Sequence, residues 1–140
     1  MDETTTGPLD EEVCRSIHDR LTGDDRFETV TFEPTSDRIR TVVATYDRSL
    51  FPDDVQSAQL DVRWYVGGDF SIHYSERWAD GSPWECRWDR HPKAVGRAHF
   101  HPPPDAGSAA ATDFPRDYRD VWSIVTAYVS ERIETLWAET

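Results

Sequence analysis

Four of the five histidines, His73, His91, His99 and His101, fall within residues 62–101, together with Arg63, Arg87, Arg97 and the acid Asp89. That block holds five acidic and six basic residues, whereas residues 1–61 hold fifteen and six and residues 102–140 seven and three. A His/Arg-rich block inside a chain of net charge -12 points to an anion site. The plainer alternative is a polar sheet face whose arginines make cross-strand pairs. Histidine, arginine and aspartate are the set that can cleave RNA without a metal. An imidazole titrating near about 6.5 takes the proton from a ribose 2′-hydroxyl, a second group protonates the 5′-oxygen, and a guanidinium holds the charge growing on phosphorus. On this reading His99 and His101 are base and acid, and Arg87 and Arg97 clamp phosphate with Arg63 and His91 beside them. Asp89 then orients His73 or another imidazole.

Two rival chemistries use the same residues. Histidines two apart on a strand point the same way, so His99 and His101 can ligate one metal with His91 or Asp89 as a third ligand, giving a metal-dependent hydrolase. The face can equally belong to a non-catalytic module that binds nucleic acid or protein. The phosphate-binding glycine loop, the Gly-x-Ser-x-Gly elbow and the His-Glu-x-x-His motif are missing, which sets aside the usual nucleotide and serine hydrolases. Cys14 and Cys86 are too few for a zinc knuckle; they read as reduced core thiols, a bridge between them being the lesser alternative. His18 reads as a solvated helix residue, and the six tryptophans mostly as core, although Trp78 or Trp84 can stack on a base.

The elements that must position these residues follow from periodicity. Leu9, Val13, Ile17 and Leu21 recur every four residues between Asp10, suited to an N-cap, and Gly23, suited to a C-cap, predicting a helix over about 10–22. Residues 26–34 and 38–48 read as strands around the turn at 33–37. Alternation then gives a hairpin. A three-residue loop sets Val66 opposite Phe70, Trp64 opposite Ile72 and Arg63 opposite His73, with the apolar residues on one face. Matching Trp78 with Trp84 and Arg77 with Glu85 across the next turn sets His73 opposite Asp89 and Ser75 opposite Arg87. A short strand over 97–101 follows, then a small-residue loop over 105–113. An amphipathic helix over about 115–138 closes the chain and should pack on the apolar sheet face. The fold class is α+β: five or six mostly antiparallel strands with an N-terminal and a C-terminal helix, one domain over 1–140, with residues 1–8 outside its ordered part.

Composition bounds the setting. The chain is 37% hydrophobic and 12% aromatic, too apolar for an acidic disordered tail. Abundant carboxylates, Lys93 as the one lysine among fifteen cations and a single methionine resemble proteins of salt-loving archaea. At about 1 M salt the Debye length is near 3 Å, so the net charge does not exclude a nucleic-acid ligand. The start, Met1 to Thr6, has neither the basic nor the apolar region of a signal peptide, and no stretch approaches the ~18 apolar residues of a membrane span; a cytoplasmic protein without membrane contact is expected.

A strand ending in Arg87-Trp88-Asp89, then His91-Pro92, then His99-Phe100-His101 and a C-terminal helix resembles the TumE family of toxin–antitoxin toxins over about residues 60–138. The resemblance implies a ribonuclease with RNA as substrate and a helix-turn-helix antitoxin protein as silencing partner; the metal-free His/Arg/Asp reading calls for no cofactor. The family's catalytic positions carry over to Arg87, Asp89, His91, His99 and His101.

Overall fold

The computed structural model describes residues 7–91 and 97–140. Residues 1–6, expected to lie outside the ordered part, fall outside the described residues, as does Lys93; of the neighbouring pair, Pro8 accepts through its carbonyl from the Val66 N–H at 2.8 Å. The element order is α1 (Glu11–Thr22), β1 (Phe27–Pro34), β2 (Ile39–Tyr46), a 3-10 turn at Arg48–Leu50, β3 (Val55–Trp64), β4 (Phe70–Trp78), β5 (Pro83–Arg90), β6 (Ala98–His101), β7 (Ala110–Ala111) and α2 (Tyr118–Ala138). The α+β class stands, with seven strands in place of five or six; the added one is the two-residue β7, in a segment read as loop. All seven lie side by side in chain order, each antiparallel to the next.

Capping defines both helices. Asp10 accepts from the Val13 N–H at 3.1 Å and Glu11 and Glu12 follow in the positive first turn. Asp117 does the same for α2, accepting from the Arg119 N–H at 2.8 Å, so that helix starts at Tyr118 rather than 115. The helices cover one face of the sheet. Cys14, Ile17 and Leu21 of α1 and Val121, Val125 and Val129 of α2 share a core with Val62, Trp64, Phe70, Ile72, Tyr74, Cys86 and Trp88. Each large apolar side chain so buried contributes about 1.5–3 kcal/mol. Cys14 and Cys86 are free and buried, as reduced core thiols; burial pushes the Cys86 thiol up to about 12.

The faces match the alternation, but both expected registers are displaced by two residues. In the β3–β4 hairpin Trp64, not Val66, lies opposite Phe70, and Asp61, not Arg63, lies opposite His73. The cause is the chain before α1. Leu9 bridges Tyr65 and Pro8 takes the Val66 N–H, leaving Val66 54% exposed instead of paired. The connection therefore spans 65–69, closed by the Tyr65 N–H on the Asp69 carbonyl at 2.8 Å, with Gly67 and Gly68 both at φ +96°, a conformation costly for any side chain. Trp64 gains Phe70 as a stacked partner at 4.9 Å. Across β4–β5, Glu76 rather than Trp78 faces Trp84, and His73 faces Arg87 rather than Asp89. Here the core face decides. Glu76 is fully buried beside Trp84, held by Arg132 of α2.

Candidate active site

Because side chains on a strand alternate, the face left uncovered by the helices collects the odd-numbered residues of β2 to β6 from Thr41 and Ser57 onward, Ile39 and Val55 lying in the core before the register irregularities. Two adjacent cross-strand rows result. One runs Val43, Asp61, His73, Arg87, His101, each directly opposite the next. The other runs Arg63, Ser71, Asp89, His99. Between them opens a groove of ≈ 480 Å³ lined by Glu33, Thr41, Val43, Asp61, Arg63, Ser71, His73, Glu85 and Arg87.

Five of the sequence candidates come together around Asp89. His99 Nδ1 lies 2.8 Å from Asp89 Oδ1, His91 Nε2 3.5 Å from the same oxygen, and His101 Nε2 2.9 Å from Oδ2. Arg87 Nε donates to Oδ2 at 3.0 Å, and its Nη2 is 3.2 Å from His101 Nε2. Burial alone would raise the Asp89 pKa, but the bonds from His99 and Arg87 and the nearby His101 and His91 outweigh it and hold the carboxyl below its usual range. Asp89, His99 and His101 are buried, whereas Arg87 is 35% exposed in its side chain and reaches the groove. The cluster thus presents the Arg87 guanidinium and the His91 imidazole, 29% exposed, to solvent around a fully engaged carboxylate. Asp89, His91 and His99 also offer one ligand atom each within 4.8 Å of one another, a donor set that suits a first-row divalent metal. The other Asp89 oxygen stays with Arg87 and His101.

The remaining candidates lie elsewhere. His73 is not oriented by Asp89, two residues off in register; it sits between Asp61 (Nδ1–Oδ2 3.7 Å) and Glu85 (Nε2–Oε1 3.3 Å), 30% exposed in the groove. Arg63 lines the groove and donates to Thr41 Oγ1 at 3.0 Å. Arg97 does not join Arg87: it lies before β6 and pairs with Asp69 at 2.6 Å. Trp78 and Trp84 are partly buried against the core. His18 stacks on Phe32, ring centroids 4.2 Å apart. Asp61 and Glu85 were missed by sequence reasoning, although their odd numbers put them in phase with His73.

The two carboxylates give His73 a testable signature. Asp61, opposed by partial burial and helped by Glu85, raises the His73 pKa above its ordinary value. A raised folded-state pKa contributes stability that is complete below the unfolded value of about 6.5 and is lost as pH rises through the folded one. The gap in urea stability between wild type and His73→Ala should therefore be widest between about pH 5 and 6.5 and narrow at pH near 9. A gap independent of pH would mean that His73 stays uncharged in its niche.

With this geometry in hand, comparison with known proteins is decisive on one point. The family model described as Toxin TumE matches residues 11–133. The chain belongs to the TumE toxin family. The match runs from the start of α1 nearly to the end of α2, so the TumE region takes in the acidic N-terminal part that the motif resemblance over 60–138 leaves out. No curated protein and no solved structure gives a significant match. On the open face of this TumE-family chain, histidine, carboxylate and arginine side chains line one groove. No helix among the described residues is long and apolar enough to cross a membrane.

Proposed function

We propose that this TumE-family toxin is a metal-independent ribonuclease whose reacting phosphate sits in the open-face groove, and that a cognate helix-turn-helix antitoxin silences it in the cytoplasm of a salt-adapted archaeal cell. The single observation that carries the reading is the convergence of His73, Glu85, Arg63 and Arg87 on one groove. Arg63 and Arg87 hold the phosphate oxygens and stabilise the charge that develops on them. Glu85 takes the 2′-hydroxyl proton as O2′ bonds to phosphorus. The P–O5′ bond breaks, and His73, its pKa raised by Asp61, protonates the departing O5′. The products are a 2′,3′-cyclic phosphate and a 5′-hydroxyl.

The sequence-based assignment of base and acid to His99 and His101 changes accordingly. Both are buried, so their part is to fix Asp89, and through it Arg87, rather than to touch substrate. A second reading is favoured by the Asp89, His91 and His99 donor set: a divalent metal held there would polarise a phosphate oxygen. The experiment that separates the two is cleavage of single-stranded RNA, in moderate and in concentrated potassium chloride, with and without chelator. Cyclic-phosphate products that persist in chelator support the metal-free reading. Activity lost in chelator and restored by zinc supports the second, and binding without cleavage leaves a non-catalytic module.

A further inference from the structure

At the end of the sheet next to the β3–β4 turn lies a second groove, of ≈ 650 Å³, lined among others by Gly67, Gly68, Arg90, Arg97, Asp113 and Arg116. Three guanidiniums meet there in a chain whose net charge is -12. Arg90 is bound wholly by backbone carbonyls: Gly68 O at 2.7 and 2.9 Å, Pro115 O at 2.9 Å and Phe114 O at 3.4 Å. It makes no ion pair among the described residues, and its planar group lies 5.0 Å from the Phe70 ring centroid. Arg116 is exposed and likewise has no ion-pair partner among the described residues. Of the three, Arg97 is ion-paired, with Asp69 at 2.6 Å, and its side chain remains 57% exposed. Burial lowers the Arg90 pKa, as do the charges of Arg97 and Arg116, against the pull of Asp69.

Such a cluster is relieved by an anion, and the glycine turn leaves room for one. A Cβ at Gly67 would meet nothing within 4 Å, and one at Gly68 only the Arg90 guanidinium at 3.6 Å. We propose that Arg90, Arg97 and Arg116 form a second phosphate site, which takes a backbone phosphate of a bound RNA strand at a position removed from the bond that is cut. This rests on the ribonuclease reading for its ligand. Arg87 and Arg90 lie three residues apart on β5, about 10 Å along the strand, so one strand can engage the open-face groove and then turn over the sheet end. Arg97 and Arg116 hold the phosphate by charge, while Arg90, fixed on the carbonyls of Gly68, Phe114 and Pro115, sets the field without moving.

The test uses Arg116→Ala, Arg97→Ala and the double variant, leaving Arg90 in place because it ties the turn to the segment before α2. Binding of a short single-stranded RNA with 2′-O-methyl riboses, which cannot be cut, is followed by fluorescence anisotropy over a range of potassium chloride. Each single variant is expected to weaken binding roughly two- to five-fold. For every phosphate no longer neutralised, the slope of log affinity against log salt should fall by about 0.7. On cleavable RNA, KM should rise with kcat unchanged. Unchanged affinity and slope in the double variant overturn the site, as does a wild type that binds no RNA, or variants that bind RNA normally but lose the antitoxin. The outcomes separate the two proposals: weakened binding with no cleavage by wild type keeps this site and removes the nuclease, whereas cleavage with unaltered binding does the reverse.

Discussion

Replacing His73 with alanine is expected to slow RNA cleavage by about 10²- to 10⁴-fold, the usual worth of a positioned proton donor. The loss should fall on kcat, because the phosphate remains held by Arg63 and Arg87, which line the same groove. The pH profile is the sharper readout. His73 acts as an acid only while protonated, and Asp61 first, then Glu85, extend that range upward by raising its pKa. The wild-type rate should thus fall on the alkaline side of the profile, and Asp61→Asn should move that fall to lower pH. A purely structural His73 would move stability but not the profile. His101→Ala reads differently: with its imidazole gone, Arg87 keeps Asp89 at 3.0 Å but loses its neighbour at 3.2 Å, so activity drops through a loosened clamp, and the alkaline limb stays where it was. Equal rates for His73→Ala and wild type would remove the proposed acid.

What could be read from the sequence was set by what alternation encodes. A period of two assigns each strand residue to a face, and the assignments for Trp64, Phe70, Ile72, Trp88, His73, Arg87, Asp89, His99 and His101 hold in the sheet. A slip of two residues leaves every face intact while changing every partner, and both hairpins slipped. Side-chain pairing was a weak guide because the deciding interactions came from outside the hairpins. Pro8 and Leu9 claim residues 65 and 66, and Arg132 claims Glu76. The same limit governs the site. The clustering of His91, His99, His101, Arg87 and Asp89 was legible as chemistry on one face. The burial of Asp89, His99 and His101 was not, because alternation says nothing of what else lies over that face, and it is the burial of the two histidines that moves the proposed proton transfers to His73 and Glu85. Phase alone places Arg97 with Arg87; it lies just before the start of β6, where phase no longer constrains direction.

Arg132→Ala is expected to destabilise the fold by about 3–5 kcal/mol, the range for removing one partner of a buried ion pair. Glu76 sits on the helix-covered face with its carboxylate fully enclosed. It receives Arg132 Nε at 3.0 Å and Nη2 at 2.8 Å, the Tyr74 hydroxyl at 2.6 Å and the Trp78 indole N–H at 3.0 Å. The Arg132 guanidinium also lies 3.7 Å from the Trp84 ring centroid, so Arg132→Lys, which keeps the charge but loses the fork and the stacking plane, should recover only part of the loss. Removing Arg132 strands a charge where water cannot reach it; removing Glu76 strands a guanidinium and two donors. The double replacement should therefore cost less than the two singles combined, by about 0.5–3 kcal/mol in a urea-unfolding cycle. A loss below about 1 kcal/mol for Arg132→Ala would mean that the pair behaves as a solvated one. The consequence reaches the open face. Glu76 shares β4 with His73, and Trp84 shares β5 with Arg87, so the tie to α2 fixes the register that brings His73 opposite Arg87. A residue that never meets the substrate thereby decides which side chains do.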